Sequence, residues 1–148
     1  MQASQDEKAY RLLEASVNRA QSALETKKHF KPFLLLLNDK GVVEFFDNEE
    51  EDSAQSYILL EALLRVRIKE NDVEVLVLAV ETTMPERLTK DTGSAIRLHL
   101  EEKSQLENKI GARFIYVPYT LCTTGEDMLS VSLFSPVPVG LRAEYIIA

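Results

Sequence analysis

Val73-Glu-Val-Leu-Val-Leu-Ala-Val80 is the run from which the rest of the chain is best interpreted. It is short, β-branched and apolar at both parities, the signature of a central strand covered on both faces. Immediately upstream, 52–70 reads as a helix. Asp52 and Gln55 have the spacing of a capping box, and Asn71-Asp72 supplies a stop. Tyr57, Ile58, Leu59, Leu60, Ala62, Leu63, Leu64, Val66 and Ile68 cover much more than one stripe of that helix, so it must touch two partners: the sheet and the first helix, or another subunit.

Further upstream, the segment 33–46 predicts a β-hairpin, with two apolar runs flanking Asn38-Asp-Lys-Gly41, a turn cluster whose glycine can take positive φ. Four consecutive leucines, Leu34 to Leu37, imply burial on both faces. Residues 5–28 predict an amphipathic helix through Tyr10, Leu13, Val17, Ala20 and Leu24, opened by the capping-box pair Ser4 and Glu7 and closed before Pro32.

Downstream, 82–93 reads as a loop of the length at which loops are often functional. Two periodicities compete from Ser94 to Ile110. The Glu, Lys, Gln and Leu content and the following Gly111 suit a helix, whereas Ile96, Leu98 and Leu100 alternating with Arg97, His99 and Glu101 suit a strand. The alternation favours a strand over 95–102 and a polar turn over 104–109. Strands are then expected over 112–121 and 128–134, with Pro118 bending the first or costing it a partner midway. Pro136 to Gly140 reads as a break and 141–147 as a last strand. The order places one α+β domain over 1–148, a mixed, mainly antiparallel sheet with two helices, because nothing helical separates the later strands.

Lys31-Pro-Phe-Leu-Leu-Leu-Leu-Asn-Asp-Lys-Gly-Val-Val43, Ala95-Ile-Arg-Leu-His-Leu-Glu101 and Val117-Pro-Tyr119 together resemble a loose family of uncharacterised bacterial α+β proteins with a similar hairpin and strand pair. The resemblance implies the strand reading of 95–101 and a bacterial source. It implies no activity.

With 148 residues, 45% of them hydrophobic and 28% charged, the chain can bury a core without disulfides or a structural metal. The single cysteine, Cys122, rules out an intrachain disulfide framework and fits a reducing compartment. Lys+Arg 17 against Asp+Glu 24 gives a net charge of -7, the wrong sign for nucleic acid or anionic lipid. Five of those negative charges lie within Asp47 to Asp52, so the remaining surface is nearly balanced. No segment is apolar enough for a membrane span and no secretory leader is evident, which points to a cytoplasmic protein.

Motifs of chemistry are sparse. Glycine-rich phosphate loops and nucleophile elbows are absent, and Cys122 has no neighbouring histidine or cation in sequence to activate it. His99-x-Glu101 superficially matches a zinc-deaminase signature, but the thiolates that chemistry needs are missing. The acidic run lacks the order and the turn glycine of a calcium loop, and reads as a solvated linker that initiates the second helix. No cofactor and no metal is therefore expected. One constellation remains: if 95–102 and 112–119 pair, Arg97, His99 and Glu101 share a face opposite Tyr116, Phe114 and Ala112, beside the loop 84–93.

The function these observations favour is a non-catalytic interaction module that self-associates as a homo-oligomer, a homodimer in its simplest form, with neither nucleic acid nor membrane as partner. The alternative is a domain binding an unidentified small molecule, or a small enzyme, through Arg97, His99, Glu101 and Tyr116.

Overall fold

The computed structural model describes residues 5–88, 93–105, 110–125 and 128–146. It is an α+β fold. The elements run α1 (Gln5–Lys27), β1 (Phe33–Asn38), β2 (Val43–Phe46), α2 (Ser53–Ile68), β3 (Val73–Thr83), β4 (Ser94–Glu102), a 3-10 turn (Lys103–Gln105), β5 (Ala112–Thr124), β6 (Met128–Leu133) and β7 (Val137–Leu141). The strand order is β2-β1-β3-β4-β5, with β6 and β7 both paired to β5, and every one of these pairings is antiparallel.

β3 lies inside the sheet, as its composition requires, and Val75 to Ala79 are fully buried. Alternation sorts the core into two layers. Leu35 and Leu37 of β1, Val75, Val77 and Ala79 of β3 and Ile96, Leu98 and Leu100 of β4 pack under α1. Leu34, Leu36, Leu76 and Leu78 point the other way, against Leu60 and Leu64 of α2. Each fully buried aliphatic side chain contributes roughly 1.5–3 kcal/mol. The leucine run serves both layers, which is why it tolerates no polar interruption.

Local signals hold where they are strongest. Asp52 caps α2, its carboxylate accepting from Gln55 N at 3.0 Å. Gly41 takes φ +78° in the hairpin turn, and the Asn38 side chain accepts from Lys40 N and Val42 N. Asn71 ends the helix region with φ 58°. Arg67 then ties the C-terminal end of α2 to the sheet by bonding Glu44 of β2 and Asp72 before β3. These bonds hold both carboxyls below their usual range.

Several boundaries differ from expectation. Of the expected α1 stripe, Ala20 and Leu24 are buried and Leu13 and Val17 pack partly buried against the core, whereas Tyr10 is exposed and Ala9, Leu12 and Ser16 complete the buried face. Small Ala9, Ser16 and Ala20 let the helix sit close to the sheet, and Ser16 satisfies its buried hydroxyl on Leu12 O at 2.8 Å. Ser4 lies outside the described residues. The loop after β3 begins at Met84, since Thr82 and Thr83 still pair with Ala95 and Ser94. Met84 itself is buried against Ala95 and Tyr116. Residues 94–102 form a strand, as the alternation indicates, and only the start of the predicted turn, Ser104 and Gln105, lies among the described residues.

The C-terminal region reverses the expectation. Val137 to Leu141 is a strand despite Pro138, and 142–146 is not. β7 is an edge strand, where a proline can present its missing donor to solvent. Pro118 marks the change of partner along β5: its carbonyl accepts from Phe134 N at 2.9 Å, in the gap between β6 and β7. With no N–H, Pro118 cannot return that bond to Phe134.

Candidate functional site

Four residues selected from the sequence, Arg97, His99, Glu101 and Tyr116, occupy one sheet face in the register anticipated for them. Arg97 lies opposite Tyr116, His99 opposite Phe114, and Glu101 opposite Ala112. Strand periodicity brings them together, and the C-terminal segment then covers part of the row. Glu101 is fully buried there and His99 nearly so.

The Glu101 carboxylate is the hub. It accepts from the backbone N–H of Glu144 at 2.9 Å, of Tyr145 at 3.1 Å and of Ile146 at 2.9 Å, while His99 Nε2 lies 2.6 Å away. Burial alone would push this carboxyl up. The bonds from His99 and from the tail backbone outweigh it and hold Glu101 below the usual carboxylate range. The Tyr145 ring packs on His99 with centroids 5.2 Å apart, and its hydroxyl donates to Glu61 of α2. Burial, and then that acceptor, push the Tyr145 phenol well above its normal value. This part of the row is therefore a latch that fastens residues 144–146 to β4 and α2.

Two groups on the face keep unused capacity. Arg97 is held between aromatic rings, 4.4 Å from the Phe114 centroid and 5.5 Å from that of Tyr57, and forms no ion pair among the described residues. Its Nε and the Nδ1 of His99 are buried without a hydrogen-bond partner among the described residues. Tyr116 packs with Met84 and Ala95.

The two histidines lie on opposite faces of the sheet. His29 bonds Glu81 at 2.8 Å, and Tyr119 donates to the same carboxylate at 3.0 Å, on the α1 side. Burial, reinforced by Glu81, pushes the Tyr119 phenol up to about 12. Among the described residues no group of three or more His, Cys, Asp and Glu side chains could hold a metal. Cys122 lies exposed on β5 opposite Ser130, in a strand and neither buried nor in a loop. The Glu101 latch and the Arg67 cluster were not visible in the sequence, because each joins residues from distant segments whose charges carry no local motif.

The second candidate surface is the outward side of α2. Ile58, Leu59 and Val66 are 55%, 43% and 67% exposed, and Ala62 lies exposed between them. At 3.6 residues per turn they form one stripe, opposite the buried Ser56, Leu60 and Leu64. Asp47, Glu49, Glu50, Glu51 and Asp52, all exposed, precede its N-terminal end, and Arg65 and Lys69 flank its C-terminal end. No helix among the described residues is long and apolar enough to cross a membrane. Comparison with protein-family models, with curated proteins and with solved structures yields no match, so the functional reading rests on the chemistry of this chain.

Proposed function

We propose that this chain is an interaction module that self-associates through the outer face of α2, in an antiparallel pair of helices about a two-fold axis at Ala62. The observation that carries the reading is the exposed stripe Ile58, Leu59, Ala62 and Val66 on a helix whose opposite side is already satisfied by the sheet. Antiparallel pairing about Ala62 sets Ile58 against the partner's Val66 and Gln55 against the partner's Lys69. It also brings the acidic run toward the basic C-terminal end of the other helix, so one patch complements itself, as a two-fold interface requires. The small Ala62 at the crossing permits a close approach of the axes.

The six large side chains covered are about half exposed in one chain, worth on the order of 1 kcal/mol each, which supports a micromolar or weaker dimer rather than an obligate one. An exposed, unpaired Cys122 supports a reducing compartment for such a module.

Disulfide trapping tests the geometry. In a Cys122→Ser background, Ala62→Cys should cross-link two chains under mild oxidation, because residue 62 meets its own copy at the axis. Gln55→Cys should not, since it faces a different residue. Equal trapping at both positions, or none at either, would remove this arrangement.

A second reading is favoured by one observation, the Arg97 guanidinium that has no carboxylate partner among the described residues. On this reading the row of Arg97, His99, Glu101 and Tyr116 serves a small anion through Arg97, since the Glu101 oxygens are occupied by the tail. Phosphate or a small dicarboxylate should then raise the melting temperature of the wild type and leave Arg97→Gln unchanged. Identical responses in the two proteins would leave the small-molecule reading without support.

A further inference from the structure

A trough runs along the α1 face of the sheet, between that helix and the edge strand β2. Its floor is Leu35, Leu37, Val43 and Phe45, and its wall is the side of α1 from Lys8 to Lys27. α1 packs mainly across β1, β3, β4 and β6, so the β2 side of the sheet is covered only in part. Val43 and Phe45 remain 52% and 38% exposed as a result. The main section measures 740 Å³, and a second section of 260 Å³ continues it past Val43 toward Gly41.

Charge along this trough is opposite to that of the molecule. Lys8, Arg11, Arg19 and Lys27 line these two sections with no carboxylate among the described residues, in a chain whose net charge is -7; Asp47, Glu51 and Glu81 line a neighbouring cavity that shares Arg19, Lys27 and Phe45 with the trough. None of the four forms an ion pair among the described residues, and Arg19 lies 3.9 Å over the Phe45 ring. The acids of α1 whose side chains are described, Glu7, Glu14 and Glu25, lie outside the lining. Four cations without an ion pair among the described residues, against three carboxylates confined to the neighbouring cavity, leave an excess of positive charge above an apolar floor, which selects a partner that is both acidic and amphipathic.

The occupant's backbone follows from its location. An extended segment lying across side chains on a sheet face would leave its N–H and C=O groups without ladder partners. A helix satisfies its own backbone, and the space above two neighbouring strands, each about 4.8 Å wide, matches the 10–12 Å diameter of a helix. The wall from Lys8 to Lys27 is about 28 Å long at 1.5 Å per residue, room for about five helical turns.

We propose that the trough between α1 and β2 docks an acidic amphipathic helix from a protein partner, its apolar stripe on Leu35, Val43 and Phe45 and its carboxylates against Arg11 and Arg19. The site is separate from the α2 face, so the two readings stand or fall independently.

The probe is a fluorescein-labelled synthetic peptide of about 20 residues, with leucines at i, i+3, i+4 and i+7 spacing and glutamates flanking them, titrated with the full chain and read by fluorescence anisotropy. Its dissociation constant should be micromolar. It should weaken at least about tenfold for the double variant Arg11→Glu, Arg19→Glu, for the same peptide with lysine in place of glutamate, and on raising salt from about 50 to about 500 mM. A version interrupted by two prolines should lose binding, whereas the double variant Ile58→Glu, Val66→Glu should bind as wild type does. Equal affinity for the glutamate and lysine peptides, a change under about twofold on charge reversal, or no binding up to about 200 µM would overturn the proposal. So would dimerisation of the chain that is lost in the Arg11, Arg19 variant, because a second copy would then be the occupant.

Discussion

At the residue scale, Glu101 is the group whose removal is most informative. Three tail N–H groups and His99 converge on its buried carboxylate, so the charge is satisfied only while residues 144–146 stay in place. Glu101→Gln keeps the shape and removes the charge, and should cost about 1–3 kcal/mol at neutral pH, the range for weakening a buried charge-assisted network. The sign of the pH dependence follows from the direction of the shift. Its folded value lies below the ordinary 4.5, so the stabilisation is complete above pH 4.5 and is lost as pH falls through the folded value. The stability gap between wild type and Glu101→Gln should therefore close as pH drops below 4.5, with amide exchange at 144–146 accelerating in parallel. A gap of constant size from pH 7 to pH 3 would mean that the carboxylate does not fasten the tail.

At the element scale, the account depends on β3 being central and on α2 being capped at Asp52. Leu76→Ala and Leu78→Ala should each cost about 2–5 kcal/mol in chemical denaturation, because both side chains are fully buried. A cost under about 1 kcal/mol for both would place that strand at an edge. Asp52→Ala should cost about 0.5–2 kcal/mol through the lost bond to Gln55 N. Elements that carry their own periodicity or punctuation were legible in the sequence: the two-faced leucines of β1, the Asn38 to Gly41 turn, α2 from its cap, and the alternation that set Arg97, His99 and Glu101 on one face. β7 was not legible, because Pro138 and Gly140 argue against a strand locally and only the free edge of β5 overrides them. The burial of Glu101 was equally hidden. The groups that satisfy it are backbone amides more than forty residues downstream, and backbone amides leave no signature in a sequence. Tyr10 was over-weighted for a different reason: apolar character alone does not show how closely small residues such as Ala9 and Ser16 let α1 approach the sheet.

At the scale of the whole molecule, the sheet has helices on both faces, yet apolar surfaces remain uncovered, among them the outer stripe of α2 and the shelf formed by Val43 and Phe45. They lie on opposite sides of the sheet, and their surroundings differ in charge: acidic and basic ends bracket the α2 stripe, whereas cations predominate along the trough and its acids, Asp47, Glu51 and Glu81, are confined to the cavity that adjoins it at Arg19 and Lys27. A self-complementary patch suits a second copy and a cation-rich patch suits an acidic partner, and the two proposed associations use separate surfaces. The central claim is the first of these associations. Size-exclusion chromatography with light scattering, over loading concentrations from about 5 to about 500 µM, tests it most directly. The account predicts a mass that rises from one chain toward two, with a dissociation constant of about 10–100 µM, and a double variant Ile58→Glu, Val66→Glu that melts like wild type but stays at the mass of one chain throughout. A wild-type mass of one chain across the whole range, or a dimer that the double variant leaves intact, would contradict it.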